Sequence, residues 1–158
     1  MLRKDPLITV QFLGRSTDRN GEGTTLYNMA RVYDHQGDLP QASGYFKQAL
    51  VIFQEVNDRN SEGQTLNLLG GVYDHLGDLV NAQESYERAL HIAQEIGERA
   101  GELATQYNLS TVYFRQRKID QALESAERAF TIAKEINDEE KIKSLPDVIS
   151  ALKRVKNK

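Results

Sequence analysis

The chain has 158 residues, no cysteine and a formal charge of −3, with 27% of its residues charged. That length accommodates one domain or a short array with a real core, and the missing cysteines exclude disulfides and thiolate metal sites. The charge balance lacks the basic excess of nucleic-acid binders, and no run approaches the roughly 18 apolar residues of a membrane helix. The expectation is therefore a soluble, cytoplasmic protein with no nucleic-acid or membrane partner.

Taken from the start, residues 1–22 form an N-terminal segment. Its short apolar patch at 7–10 lacks the shape of a signal peptide. Asp18-Arg19-Asn20-Gly21-Glu22-Gly23 returns as Asp58-Arg59-Asn60-Ser61-Glu62-Gly63. On that alignment 6–16 falls where a preceding helix would lie. Half of an earlier unit and a plain N-terminal coil both fit.

From residue 23 the chain repeats. Val32-Tyr33-Asp34-His35-Gln36-Gly37-Asp38-Leu39 comes back as Val72-Tyr73-Asp74-His75-Leu76-Gly77-Asp78-Leu79. The same offset links Thr25, Thr65 and Thr105, and it links Tyr33, Tyr73 and Tyr113. Ala42, Ala82 and Ala122 follow it, as do Ala49, Ala89 and Ala129, Ile52, Ile92 and Ile132, and Glu55, Glu95 and Glu135. A fixed spacing of this kind marks a repeat architecture. The units are 23–62, 63–102 and 103–142.

Each unit reads as two helices, A and B. In unit two, Leu66, Leu69, Val72, Tyr73 and Leu76 recur at three and four residues, which predicts helix A over 62–76. Ser61 with Gln64 three residues later has the form of a capping box. Gly77 suits a left-handed helix end. Asp38 and Asp78 suit the N-caps of the B helices, with Pro40 in the tolerated first turn. Ala82, Tyr86, Ala89, Leu90, Ile92, Ala93 and Ile96 place helix B, and 97–101 reads as the link onward. The repeated alanines sit where helices approach closely. After unit three, Ser144-Leu145-Pro146-Asp147 reads as a break and restart. The stripe Val148, Ile149, Leu152 and Val155 within 143–158 then reads as a C-terminal capping helix, with Lys153, Arg154, Lys156 and Lys158 around it.

These residues resemble the tetratricopeptide repeat: a large residue, Leu-Gly, Tyr, Ala, an aromatic and Ala. Unit two supplies Leu66, Leu69-Gly70, Tyr73, Ala82, Tyr86 and Ala89. Unit one supplies Leu26, Met29-Ala30, Tyr33, Ala42, Phe46 and Ala49. Unit three departs, with Gln106, Leu109-Ser110, Tyr113, Ala122, Ala126 and Ala129. The forty-residue length exceeds the usual unit of about 34. It is similar to the long repeats of kinesin light chains, G-protein-signalling modulators and bacterial arrays. HEAT repeats share the length but lack this order.

The resemblance implies an all-α, right-handed superhelical solenoid of antiparallel helix pairs whose A helices line an inner wall. It implies a protein-interaction module that holds a peptide or partner protein in that groove, with no enzymatic activity and no cofactor. Matched unit by unit, the wall would carry Tyr27, Asn28, Arg31, Asp34 and His35, then Gln64, Asn67, Asp74 and His75, then Tyr107, Asn108, Thr111, Phe114 and Arg115. Thr24, Gly71 and Ala104 lie on the same face, and Gly71 is expected to leave room for a ligand. Tyr27, Asn67 and Tyr107 stand where this family's carboxylate clamp has its first Lys, so a clamp is not expected. Asp34 and Asp74 favour a partner with positive charge. Each Asp-His pair is made of sequence neighbours that diverge around a helix, which argues against a metal site. His91 reads as surface. A second reading stays open: a self-assembling repeat fragment that forms homo-oligomers through its open ends.

Overall fold

The structure, a computed structural model, describes residues 18–158. It contains seven helices: α1 (Arg19–His35), α2 (Leu39–Glu55), α3 (Arg59–His75), α4 (Leu79–Ile96), α5 (Arg99–Arg115), α6 (Ile119–Ile136) and α7 (Glu139–Lys156). Connections of two or three residues force successive helices to run antiparallel. The chain is an all-α solenoid in which α1–α2, α3–α4 and α5–α6 are the repeated pairs.

Helices begin every twenty residues because one turn is used six times. Gly37, Asn57, Gly77, Gly97, Arg117 and Asn137 all have positive φ, between 57° and 78°. In the turn after α3, the Gly77 N–H donates to the Asp74 carbonyl at 3.0 Å and the Asp78 N–H to that of Tyr73 at 2.9 Å. This paired bond closes the orphan carbonyls of a helix end. The residue that donates to the carbonyl five positions back then caps the next helix. Asp78 accepts from the Asn81 N–H at 3.1 Å, Asp38 from Gln41 at 3.2 Å and Asp138 from Lys141 at 2.9 Å. Lys118 departs from this pattern and makes no side-chain cap bond.

The A helices start earlier than the periodicity of apolar residues predicts. Asp58, not Ser61, caps α3, accepting from the Ser61 N–H at 3.0 Å and the Ser61 hydroxyl at 2.8 Å. The extra turn holds Arg59, whose guanidinium bonds Glu62 at 2.6 Å and also pairs with Glu95 at the end of α4. Arg19 with Glu22 and Glu55, and Arg99 with Glu102 and Glu135, repeat the clamp. Glu62 is only 5% exposed, and the Gln54 amide of the preceding unit donates to it at 3.0 Å. The clamp thus ties an A helix to its own B helix and to the unit before. For the same reason the link after α4 is shorter than the expected 97–101, since α5 already begins at Arg99.

The core runs along the whole array. Ala42, Ala82, Ala122, Ala49, Ala89 and Ala129 are all buried, as close helix approach requires. Gly70 lies against the Tyr86 ring, where an added Cβ would stand 2.8 Å from ring carbons. In unit three the corresponding pair is Ser110 and Ala126, and the Ser110 hydroxyl donates to the Ala122 carbonyl at 2.9 Å. Gln106 takes the place of Leu26 and Leu66, is 2% exposed, and makes no side-chain hydrogen bond to the described residues.

The expected break at 144–147 is absent: α7 runs through Pro146 without interruption. Its cap, Asp138, lies forty residues after Glu98, so α7 occupies the helix A position of a fourth unit. Leu145 on one side of the proline packs with Leu103, Ala129 and Ile132, and Leu152 on the other packs with Leu109, Val112 and Ala126. This burial holds the axis where the ring removes one backbone bond. Lys153 reaches Glu127 at 3.2 Å and Lys156 reaches Asp120 at 2.8 Å, fastening α7 to α6. Residues 1–17, including the 6–16 stretch read as a half unit or coil, lie outside the described residues.

Candidate functional site

The A helices form one row, α1, α3, α5 and α7. Among helices not adjacent in sequence, α3 and α5 make the most extensive contact. All fourteen expected wall residues lie on α1, α3 and α5, and none is buried. They differ in what already holds them.

On α1, Asn28, Arg31 and His35 are exposed, whereas Asp34 is half-buried. Tyr27 is half-buried, edge-on to Phe46 at 5.9 Å, with the Arg31 guanidinium 5.9 Å from its ring centre. On α3, Gln64 and His75 are exposed. Asn67 Oδ1 accepts from Thr105 Oγ1 and from Asn108 Nδ2, both at 3.3 Å. Asp74 forms an ion pair with Arg115, and the same guanidinium donates to the Asp74 carbonyl at 3.3 Å. Asp74 therefore does not present the uncompensated charge expected of it. At Gly71 an added Cβ would make an ordinary contact with the Tyr86 hydroxyl, at 3.5 Å. Burial, followed by the Asp74 charge, raises the Tyr86 phenol well above its ordinary value, so it stays a neutral donor.

On α5, Tyr107 is half-buried against the Leu103–Leu145 cluster, with Lys141 Nζ 4.7 Å from its ring centre. These contacts join α5 to α7. Thr111 is exposed, its hydroxyl bonding the Tyr107 carbonyl at 3.4 Å. Phe114 is 46% exposed, unusual for a large apolar ring. His91, on the outer face, is exposed and 3.9 Å from Glu95. Among the described residues no three His, Cys, Asp or Glu side chains converge as metal ligands, and no helix is long and apolar enough to cross a membrane.

Sequence reasoning missed one part of the wall. Between α5 and α7 lies a recess of about 250 Å³, lined by Ser110, Thr111, Phe114, Val148, Ala151, Leu152 and Val155. The stripe on α7 was legible, but as a seal over unit three. Leu152 does seal it, while Val148 and Val155 flank open space. The signal that could have found this is the fourth return of the forty-residue offset, which Pro146 obscures.

Comparisons with known proteins agree with this architecture. Models of the tetratricopeptide repeat match residues 23–62 and 61–135. No individual curated protein matches the chain by sequence. Among solved structures, the aspartyl phosphate phosphatase F of Bacillus subtilis superposes with a TM-score of 0.78 at 18% identity, covering 87% of this chain and 36% of the phosphatase. BtubC (BKLC) from P. vanneervenii gives 0.70 at 19% identity, covering 90% of this chain and 67% of its own. The N-terminal domain of stress-induced protein-1 from C. elegans gives 0.67 at 13%, covering 84% of this chain and 98% of that domain. The chain thus spans about one third of the phosphatase and two thirds of BtubC. At these identities the likeness is one of fold.

Proposed function

The chain belongs to the tetratricopeptide repeat family, and on that premise we propose that it binds a peptide or a partner protein along the wall of its A helices. One observation carries the reading: α1, α3 and α5 present fourteen unburied polar and aromatic side chains in one row, while the buried alanines, leucines and isoleucines of the same units make the core. Asn28, Thr111 and Asn108 can bond an extended backbone that has no strand partner, and Phe114 offers rigid apolar contact. The role is that of a scaffold, with recognition and not bond-making as its chemistry.

The test is selection of random peptides on the intact chain, followed by amide chemical-shift mapping of a selected peptide. The largest shifts are expected on α1, α3 and α5, and Asn108→Ala with Phe114→Ala should weaken binding about tenfold, the equivalent of 1.4 kcal/mol. Shifts confined to α2, α4 and α6 would reject the wall. A mass that rises with concentration would favour self-assembly instead.

A further inference from the structure

Resting on that reading, we infer that the recess between α5 and α7 is a specificity pocket for one large apolar side chain of a partner peptide whose flanking residues are acidic.

The argument comes from two equivalent steps along the row. Between α3 and α5, two polar bridges span residues 41 apart: Asn67 with Asn108, and Asp74 with Arg115. Shifted by forty, the same bridges fall on Tyr107 with Val148 and on Phe114 with Val155. Both polar pairs have become apolar. The first step is closed over by its own side chains. The second leaves an open recess of about 250 Å³ between Phe114, Val148, Ala151 and Val155. Phe114 and Val155 are 46% and 44% exposed, so an apolar guest would remove both from water.

Charge selects the kind of guest. Phe114 and Val155 also border a second recess of about 360 Å³ whose other walls are Arg115, Arg117 and Ile119. Arg115 is compensated by Asp74. Arg117, on the wall of this second recess, makes no ion pair among the described residues, and neither do Arg154 and Lys158, which flank Val155 in sequence at the end of the chain's last described helix. The opposing acid is Asp147, next to Val148. An apolar floor with a mainly basic rim fits an apolar side chain between Asp or Glu residues. The chain's own apolar stretch at 7–13 is a poorer match, being flanked by Arg3, Lys4 and Arg15 against a single Asp5.

Titration of the full chain with the acetylated peptide Glu-Asp-Leu-Phe-Asp-Glu, and with the same peptide carrying Lys at its acidic positions, tests the assignment. The acidic peptide should shift the signals of Phe114, Ala151 and Val155 and lose about tenfold in affinity in Arg117→Glu with Arg154→Glu, with marked salt dependence. Val155→Asp should abolish the shifts. Ala151→Leu, which fills the recess from an exposed position, should do the same without an added charge. Equal binding of the Lys peptide, or affinity unchanged by Val155→Asp and Ala151→Leu, overturns the pocket. So does a failure of the acidic peptide to bind while selected peptides still bind the wall, which leaves the groove reading standing. If Phe12→Asp in the free chain moves the recess signals, the occupant is the chain's own leading segment. If those signals depend on protein concentration, it is a second copy. Either result overturns the proposal.

Discussion

Units two and three have the same period and the same helix lengths to within a residue, but they meet shared packing demands with different residues. Where α3 crosses α4, the small residue is on the A helix and the large one on B: Gly70 under Tyr86. Where α5 crosses α6, Ser110 faces a buried Ala126 and its hydroxyl is absorbed by the Ala122 carbonyl. The A–B turn is Gly77-Asp78 in unit two and Arg117-Lys118 in unit three, with nearly the same backbone. A Leu in the first is a Gln in the second, only 2% exposed and bordering a recess between α4 and α6. Stacked neighbours on both sides over-determine the geometry of unit three, so it tolerates residues that a free-standing helical hairpin would not. Of these residues, Ser110 lines the recess between α5 and α7, and Arg117 lines the second recess that shares Phe114 with it.

The largest effect should come from forcing unit two to lose its small residue. Gly70→Leu should destabilise by about 2–3 kcal/mol, because the side chain meets the Tyr86 ring. Adding Tyr86→Ala, which gives unit two the small B residue of unit three, should recover much of that loss in urea unfolding. Non-recovery would show that the crossing in unit two does not accept its large side chain from the A helix. Next, Gln106→Leu restores the residue type of units one and two at a position only 2% exposed and should stabilise by about 1 kcal/mol through added apolar burial. A loss of stability would mean that the amide is satisfied in solution.

Lys118→Asp supplies the missing cap and should stabilise by about 1 kcal/mol. The Lys118 bond to Gln83, at 2.9 Å on the surface, offsets little of that gain. Arg117→Gly relieves a left-handed φ of 61° and should add about 1 kcal/mol, while weakening the acidic probe if the rim assignment holds. The smallest effect is in pH. Burial alone would raise the Asp58 carboxyl, but the Ser61 N–H and hydroxyl more than offset this and hold it below its ordinary value. The Asn81 side-chain and backbone bonds do the same for Asp78. Their stabilisation is complete above the ordinary carboxylate range and is lost as pH falls through the lowered folded values. Amide exchange should therefore speed up at the starts of α3 and α4 in acid, relative to its neighbours, before it does at the start of α6, which has no side-chain cap.

Much of the framework could be read from residues alone. The offset of forty, the buried alanines, the left-handed Gly77 and the caps Asp38 and Asp78 all act locally, through sterics or bonds within a few residues. The starts of the A helices were misread because Asp58 and Ser61 are equally good caps by type. The choice follows from the Arg59–Glu95 pair, which spans a whole unit. Pro146 misled for a related reason: a local breaking tendency was outweighed by Leu145 and Leu152 packing onto α5 and α6.

The sequence by itself determined that this chain is helical, that it repeats, which positions must stay small, and which face of each A helix is left over from the core. Tertiary structure alone decided how that face is used. Asn67 meets Asn108 and Asp74 meets Arg115 only because one unit stacks on the next with a particular offset, and that stacking tells a closed polar step from an open apolar one. Periodicity within a helix carries no information about partners 41 residues away, since the distance between them depends on the rotation from unit to unit.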